Sequence, residues 1–550
     1  MVKAALLEVG IISTAVCLPV TSVMASVKNW IFSVLEKHRG LVVLLFCLPA
    51  SFLFDLLLRI HCYIVRLCDC RTHLDKVKEV QSAVRRWNDL PLSERKLLCT
   101  ARPNWLSLST TFFQKDQCHK IAIPLYNILS LDEANLSVKV EPLVKVGDIT
   151  KYLLPKGYAL AVHLEIAEAT LGGLAMGVGM TTHSHKVGLF QETILSFDIV
   201  LSDGSLVHVT KDNQFSDLFK ALPWSHGTLG FVVALELKII PAEPFVHMHY
   251  IPVIGKKRYC SLLYELSGAS DTKKNTPDFL EATIYSKHEA VILAGWFSDI
   301  SDNVEVNQIN RWYKPWFYKH VETFLKKGKS EELIPLEDYL LRHNRSIFWV
   351  LESMLPFGNL TIFRYLFGWL LPPKIAFLKY TTTPGIRKLT FTKQVFQDIV
   401  LPLATLEQQV DRSEELFDLY PLLVYPCRVY DWGPRSGQVP TPSPDMLCPG
   451  TNYAMYNDLG IYGVPGHVKR KSKYNPTEAM RKMESFTRSV GGFSFLYADI
   501  FMTKEEFEQM FDLQLYEQMR KKYSADHAFP HLYDKIKPEI DVLSIGTVID

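Results

Sequence analysis

The sequence predicts an α+β fold carrying an N-terminal membrane helix, on three observations. A glycine-dense stretch at 170–188 runs into a pair of apolar, β-branched segments, Ile194 to Val200 and Leu206 to Val209, that turn at Ser202-Asp203-Gly204; the glycines therefore serve a strand hairpin. Leu41 to Leu58 is an 18-residue apolar run with one charge, Asp55. Far downstream, Tyr456-Asn-Asp458-Leu-Gly460-Ile-Tyr462-Gly463 alternates, which places Tyr456, Asp458, Gly460 and Tyr462 on one face of a strand.

Length and composition set the frame. At 550 residues and 48% hydrophobic content, the chain suits more than one sizeable core, and it divides into an anchor at 1–75, a domain at 76–243 and a second at 244–550. A net charge of +2 with acids and bases interspersed excludes nucleic acid as a partner. Ten scattered cysteines, only Cys68-x-Cys70 close together, read as reduced thiols and not as a disulfide framework. The sequons at Asn135, Asn344 and Asn359 matter only in a lumenal domain.

The elements follow in order. Ala4 to Ala25 is apolar but broken by Glu8 and Pro19, and reads either as a first membrane segment or as a signal cleaved after Val23-Met24-Ala25. At about 1.5 Å per residue, Leu41 to Leu58 comes close to the ~30 Å hydrocarbon layer, with a kink expected at Pro49. Arg59, Arg66 and Arg71 border the run, and with Lys76 and Lys78 they outnumber Lys28, Lys37 and Arg39, which leans towards a cytosolic catalytic domain. Lys76 to Arg95 spaces Val77, Val80, Val84 and Trp87 as an amphipathic helix. Strands are expected at Ile121 to Leu125 and Val138 to Val140. Before them, Arg102 is either a bidentate phosphate clamp or a surface arginine before a turn.

Gly172, Gly173, Gly177 and Gly179 lie close enough to let bare backbone approach an anionic ligand. A Rossmann fingerprint is excluded: Gly177-x-Gly179-x-x-Thr182 lacks the third glycine and a βαβ setting. His183 and His185 have no visible third ligand, so no metal site is expected.

Thr170-x-Gly172-Gly173, His185-Lys-x-Gly188, the Asp-Gly hairpin, the Ser-Asp-Leu-Phe helix and Gly227-Thr-Leu-Gly230 together resemble the second half of the FAD-binding domain of the vanillyl-alcohol-oxidase-like (PCMH-type) flavoproteins. The segments SHKVGLFQ, LPWSHGTLGF, YKPWFYKHVE, RSIFWVLESMLPFGN, FRYLFGWLLPPK and LYADIFMTKEEF narrow this to a resemblance to the delta-24-sterol reductases, covering Cys99 to Lys535. The resemblance implies a two-subdomain FAD-binding domain at 76–243 and an α+β substrate domain at 244–550. It implies FAD contacts from Arg102, Pro142, Val146, Gly147, Glu165, Thr170, Gly172, Gly173, Gly177 and Gly179, and from Ser184, His185, Gly188, Trp224, Ser225, Gly227, Thr228 and Gly230. FAD is expected to be noncovalent, because no His lies between Cys99 and Lys115; Cys99 is the residual tether. Glu165-Ile-Ala167-Glu168-Ala-Thr170 departs from the family's E-L-D-D-L-T, which would loosen a turn or be neutral.

The implied reaction is NADPH-driven reduction of the 24(25) double bond of a sterol side chain at the endoplasmic reticulum membrane. A hydroxyl and a carboxylate on one face suit proton donation, which nominates Tyr462 with Asp458, and Tyr497 from a neighbouring motif. The aromatic clusters Trp312 to Trp316, Ile347 to Trp349 and Phe363 to Trp369 suit a core or a cavity for a polycyclic lipid, and Phe363 to Pro373 a membrane-facing surface. The alternatives are a flavin-dependent oxidase of small alcohols or lactones and a weakly catalytic sterol-binding paralogue. The preferred sterol stays open, as does association with itself or with other sterol-pathway enzymes.

Overall fold

The computed structural model describes residues 39–272, 275–299 and 304–544; the Ala4 to Ala25 run lies outside them. Helix α1 spans Gly40–Cys68, 29 residues that include an 18-residue window of mean hydropathy 2.5, by length and composition enough to cross a membrane. A π turn at Val43–Cys47 lies just before Pro49. Proline lacks an N–H and crowds the carbonyl four residues back, and the wider turn absorbs both, so the helix widens and continues where a kink was expected. Helix α2, His73–Asn88, opens with a capping box between Thr72 and Asp75 and buries Val77, Val80, Val84 and Trp87. It ends short of the expected Arg95 because Pro91 lies in the way.

Strands β1 (Leu98–Thr100) and β2 (His119–Ile121) pair in parallel; the strand expected to reach Leu125 stops before Pro124. A six-stranded sheet follows, built from β3 (Ile128–Asp132), β4 (Ser137–Val140), β5 (Tyr158–Leu160), β6 (Ile194–Val200), β7 (Leu206–Thr210) and β8 (Phe231–Pro241). β6 and β7 form the expected hairpin, with Gly204 at φ +79° in its turn. Helix α3, Leu171–Gly177, carries the glycine pair.

The second sheet has eight strands: β9 (Phe245–Ile254), β10 (Phe279–Ser286), β11 (Glu289–Ser298), β12 (Ser330–Pro335), β13 (Val395–Pro402), β14 (Leu422–Tyr430), β15 (Tyr453–Gly463) and β16 (Phe493–Ser494), in the order β12-β9-β11-β10-β14-β15-β13-β16. Every residue of β15 is buried. Its Tyr456 and Tyr462 join the core of the first sheet, and its Leu459 and Ile461 join a second core on the other side. Past β16 the chain returns to the first core through Phe495, Phe511, Tyr516 and Phe529, and Trp224 stacks on Phe495 at 5.6 Å.

One buried acid makes stability depend on pH. On the helix Pro476–Ser489, Glu484 accepts a bond from Phe501 N at 2.8 Å, while its Oε2 has no partner. Burial pushes this carboxyl up to about 8 from 4.5. Because the folded pKa is the higher one, the folded state holds a proton that the unfolded chain gives up between those values. Stability therefore falls across that window as pH rises, by about 1.4 kcal/mol per pH unit. Glu484→Gln is expected to melt close to the parent at pH 5 and increasingly above it towards pH 8; thermal melts at both pH values check this, and parallel curves would refute it.

Candidate active site

The inner face of β15 gathers the proton-bearing groups. Register places Asp398 of β13 opposite Gly460 and Phe396 opposite Tyr462. A Cβ on Gly460 would lie 2.7 Å from the Tyr462 hydroxyl oxygen, so bare backbone there lets the phenol fold across and donate to Asp398. Tyr497 also donates to Asp398. The carboxylate that holds Tyr462 is therefore Asp398, from the adjacent strand, and not its nominated companion Asp458. Burial pushes Asp398 up to about 6 against those two hydrogen bonds. Asp458 is 4% exposed and its Oδ1 has no partner; burial, then Asp398 and Glu165, drive it well above the carboxylate range, which makes it a neutral acid. Burial, then Asp398, keep the phenols of Tyr462 and Tyr497 protonated. A signal for Asp398 exists in the sequence: it is the one acid in the otherwise apolar and amide strand Val-Phe-Gln-Asp-Ile-Val-Leu-Pro, where an ionised group is costly.

An aromatic shelf steadies Tyr462. Trp349 Nε1 donates to the Tyr462 carbonyl at 2.8 Å, and Phe348 lies 5.3 Å from the Tyr462 ring. Ile347 and Phe348 sit at φ +47° and +57°, a left-handed conformation that costs non-glycine residues on the order of 1–3 kcal/mol each.

Behind this face lies a buried ionic network. Arg342 Nη2 is 3.0 Å from Glu281 Oε2, 3.4 Å from Glu165 Oε1 and 2.8 Å from the Tyr425 hydroxyl. Thr181 donates to Glu165 at 3.1 Å. One guanidinium serves two carboxylates unequally. Against the burial penalty it holds Glu281 down to about 2, while burial prevails at Glu165 and pushes it up to about 7.

The residues read as cofactor contacts separate into two sets. Arg102, Thr170, Gly173, Gly177 and Gly227 border one recess. Arg102 Nη1 is 3.4 Å from Thr170 Oγ1, and a Cβ on Gly173 would meet only that hydroxyl, at 2.9 Å. Lys115 Nζ donates to Arg102 O at 2.6 Å. A Cβ on Gly227 would come 3.7 Å from Lys535 Nζ, and one on Gly177 would come 3.4 Å from His226. Burial, with Lys115 nearby, pushes Lys535 down to about 8. Burial holds His226 neutral, its pKa near 3, with Nε2 unpartnered. Lys115, His226 and Lys535 were not legible in sequence as site residues. Among the described residues Arg102, Lys115 and Lys535 form no ion pair, so the recess has the charge a diphosphate group requires.

The second set frames the recess, its polar atoms engaged within the protein. A Cβ on Gly172 would lie 2.5 Å from Pro142 Cβ, so this glycine is required by packing. Val146 N and Gly147 N donate to Ala169 O and Ala167 O at 2.8 and 3.0 Å. Gly179 packs on Leu174, Gly188 on Glu192 and Tyr430, and Gly230 on Ile199. Ser184 Oγ accepts from Thr181 N. His185 lies between the carbonyls of Thr182 and Pro277 at 3.0 and 2.8 Å, its neutral ring able to donate to one. Trp224 donates to Gln191, Ser225 to Leu222 O, and Thr228 Oγ1 is 2.7 Å from the Tyr516 hydroxyl. Glu168, in the departing turn, pairs with Lys145 at 2.8 Å and Lys374 at 3.0 Å, so the turn is held by ions. Among the described residues one His/Glu group comes within metal-ligand range, His247, His249 and Glu331; its β9 lies four strands from β15.

Three more helices complete the setting: α4 (Thr361–Phe367), α5 (Ile375–Tyr380) and α6 (Pro384–Lys393). A cavity of about 1460 Å³ runs from Thr110 and Phe112 past Trp349 and Tyr462 to Leu378 and Ile386 on α5 and α6, with Lys379, Arg387 and Lys393 also in its lining.

The FAD binding domain family matches residues 74–210. Delta(24)-sterol reductase of Homo sapiens is 39% identical over 530 residues, covering 96% of this chain and 98% of the relative. The enzyme of that name from Pisum sativum is 36% identical over 533 residues, 93% of each chain. Xylooligosaccharide oxidase of Thermothelomyces thermophilus is 32% identical over 129 residues, 23% of this chain and 25% of the relative. The expected FAD-binding domain in a mixed α and β chain is borne out. A basic recess framed by the matched FAD-binding segment, and near-complete coverage by relatives of one name, place the chain in the Delta(24)-sterol reductase family.

Proposed function

We propose that the protein is an FAD-dependent reductase of the 24(25) double bond of sterol side chains, acting in sterol biosynthesis. The observation that carries this is the cavity that runs from Ser109, Thr110 and Phe112 past Trp349 and Tyr462 to Leu378, Ile386 and Leu389 on α5 and α6. At about 1460 Å³ it exceeds the ~300–1,000 Å³ usual for small-ligand sites, enough for a sterol. FAD, when bound, supplies the hydride equivalent. Arg102, Lys115 and Lys535 would hold its diphosphate, noncovalently, while Trp349 orients the side chain of the sterol and Tyr462, steadied by Phe348, holds the proton. NADPH as electron source rests on the family resemblance. Near-complete coverage by relatives named Delta(24)-sterol reductase disfavours the alternative of an oxidase of small alcohols or lactones. In this reading 1–75 anchors, 76–243 binds FAD and 244–550 binds sterol, with the enzyme on the cytosolic face of the endoplasmic reticulum. Asn344 and Asn359 are half-buried, and Asn135 is the exposed sequon.

Membranes bearing the protein, given a 24(25)-unsaturated sterol and NADPH, are expected to yield a product two hydrogens heavier by mass spectrometry; an unchanged sterol with FAD bound would overturn the assignment. Protease outside sealed microsomes should digest the catalytic region, and a glycan on Asn135 would reverse the orientation.

Lys379 on α5 ties down the loop that follows Arg102, residues 107–111. Its ammonium reaches the carbonyls of Ser107, Ser109 and Thr111, and burial pushes it down to about 8. Bonds to a charged donor contribute about 1.5–3 kcal/mol, so Lys379→Met is expected to weaken FAD retention at least tenfold. Flavin fluorescence titration measures this; unchanged affinity would show that the loop holds itself.

A further inference from the structure

We propose that α1 lies in the plane of the membrane surface, docked along its length on the catalytic domain, and that with α4, α5 and α6 it makes one lipid-facing surface. The contacts begin at Gly40, where an added Cβ would lie 2.6 Å from the Phe357 ring. They continue with Ser51, whose hydroxyl accepts from Lys374 N at 2.7 Å, and with Asp55, 3.3 Å from Lys374 Nζ. Phe52 packs against Trp369, and Phe54 against Trp105, Phe377 and Tyr380. They end at Arg66, 3.4 Å from Asp148 and over the Tyr126 ring. From Gly40 to Arg66 a helix rises about 39 Å, more than the ~30 Å hydrocarbon layer. A spanning α1 would carry into lipid the Asp55-Lys374-Glu168 chain of ion pairs, at a cost of roughly 2.5–3.5 kcal/mol per charge, together with irregular backbone.

The opposite side of α1 exposes Leu53, Leu57, Ile60, Ile64 and Leu67 at helical spacing, and α4 continues it with Ile362 and Leu366, each at least 45% exposed. Arg59, with 70% of its side chain exposed, stands at this border, where an in-plane helix meets headgroups. An apolar surface of this extent on a monomer calls for a cover, and its continuity along the most apolar helix selects a phospholipid bilayer. Ile386 and Leu389, both 48% exposed, line the cavity as well. A lipid entering there need not cross water, although the topology itself does not depend on the reaction.

The test uses the full chain in phospholipid vesicles, with Cys47, Cys62, Cys68 and Cys70 changed to Ser and a nitroxide placed by Leu45→Cys, Leu53→Cys, Ile60→Cys or Leu67→Cys. Depth is read from collisions with oxygen and with a nickel chelate. In-plane docking gives one shallow depth at all four sites, about 5–10 Å. A profile deepest at Leu53 and Ile60 and rising at both ends means a spanning helix and overturns the proposal. Dipolar broadening at Leu53 that vanishes on dilution with unlabelled protein means a second copy covers the face, and overturns it too. Should the labelled variants misfold, Asp55→Cys with Lys374→Cys and a short bismaleimide provides a second readout: cross-linking in native membranes is expected, and none is the contrary result.

Discussion

Arg342→Met is expected to destabilise the folded protein by about 3–5 kcal/mol, the usual cost of leaving a buried charge without its partner. Arg342 and Glu281 are each 1% exposed, and the guanidinium is the cation that holds Glu281 ionised. Without it, burial raises the folded pKa of both Glu281 and Glu165 above the unfolded value. Such groups lose stability as pH climbs through the gap, so the variant should be weakest at pH 8 and partly recover at pH 5. Arg342→Met combined with Glu281→Gln should regain much of the loss, since the uncompensated charge goes with the carboxylate. Urea unfolding at both pH values reads all three. If Arg342→Met unfolds with the parent at pH 8, the network is not a source of stability and another role must explain its burial.

What was legible in the chain was local. The Asp203-Gly204 hairpin, the apolar stripe of α2 and the shared face of Tyr456, Asp458 and Tyr462 follow from periods of 3.6 and 2 and from turn chemistry within a few residues. The partner of Tyr462 was not, because antiparallel pairing brings Asp398 from a strand some sixty residues away, a choice no local pattern records. Lys535 reaches the recess from the far end of the chain by the return of the C-terminal segment to the first core. Glycine density pointed to the right region but did not separate one glycine's role from the next, since an added Cβ meets only the Thr170 hydroxyl at Gly173 but the Pro142 backbone and ring at Gly172. The membrane helix expected to end at Leu58 continues to Cys68, since Arg59 pairs with Asp55 and the later basic residues sit at the surface.

Tyr462→Phe is expected to leave FAD bound and its reduction by NADPH intact, and to slow the sterol half-reaction at least about tenfold, roughly 1.4 kcal/mol of transition-state stabilisation. An isolated alkene polarises weakly, so a positioned acid is worth about 10²- to 10⁴-fold over none. Of the three nominated donors Tyr462 alone lines the cavity. Its hydroxyl is turned onto Asp398, whose carboxyl sits at about 6. While Asp398 is ionised it claims the phenolic proton. Once protonated, it frees the phenol to face the substrate and can restore the proton afterwards. The parent's sterol half-reaction should therefore fall as pH rises above 6. Asp398→Asn, which imitates the protonated acid, should flatten that profile, while Tyr462→Phe should be slow at every pH. Asp458→Asn, already neutral by burial, should lose less than either. Stopped-flow traces of the two half-reactions from pH 5 to 8 separate these outcomes. A Tyr462→Phe enzyme that reduces sterol at the parent rate moves the donor to Tyr497 or Asp458, and one in which reduction of the flavin fails assigns this face to the nicotinamide side.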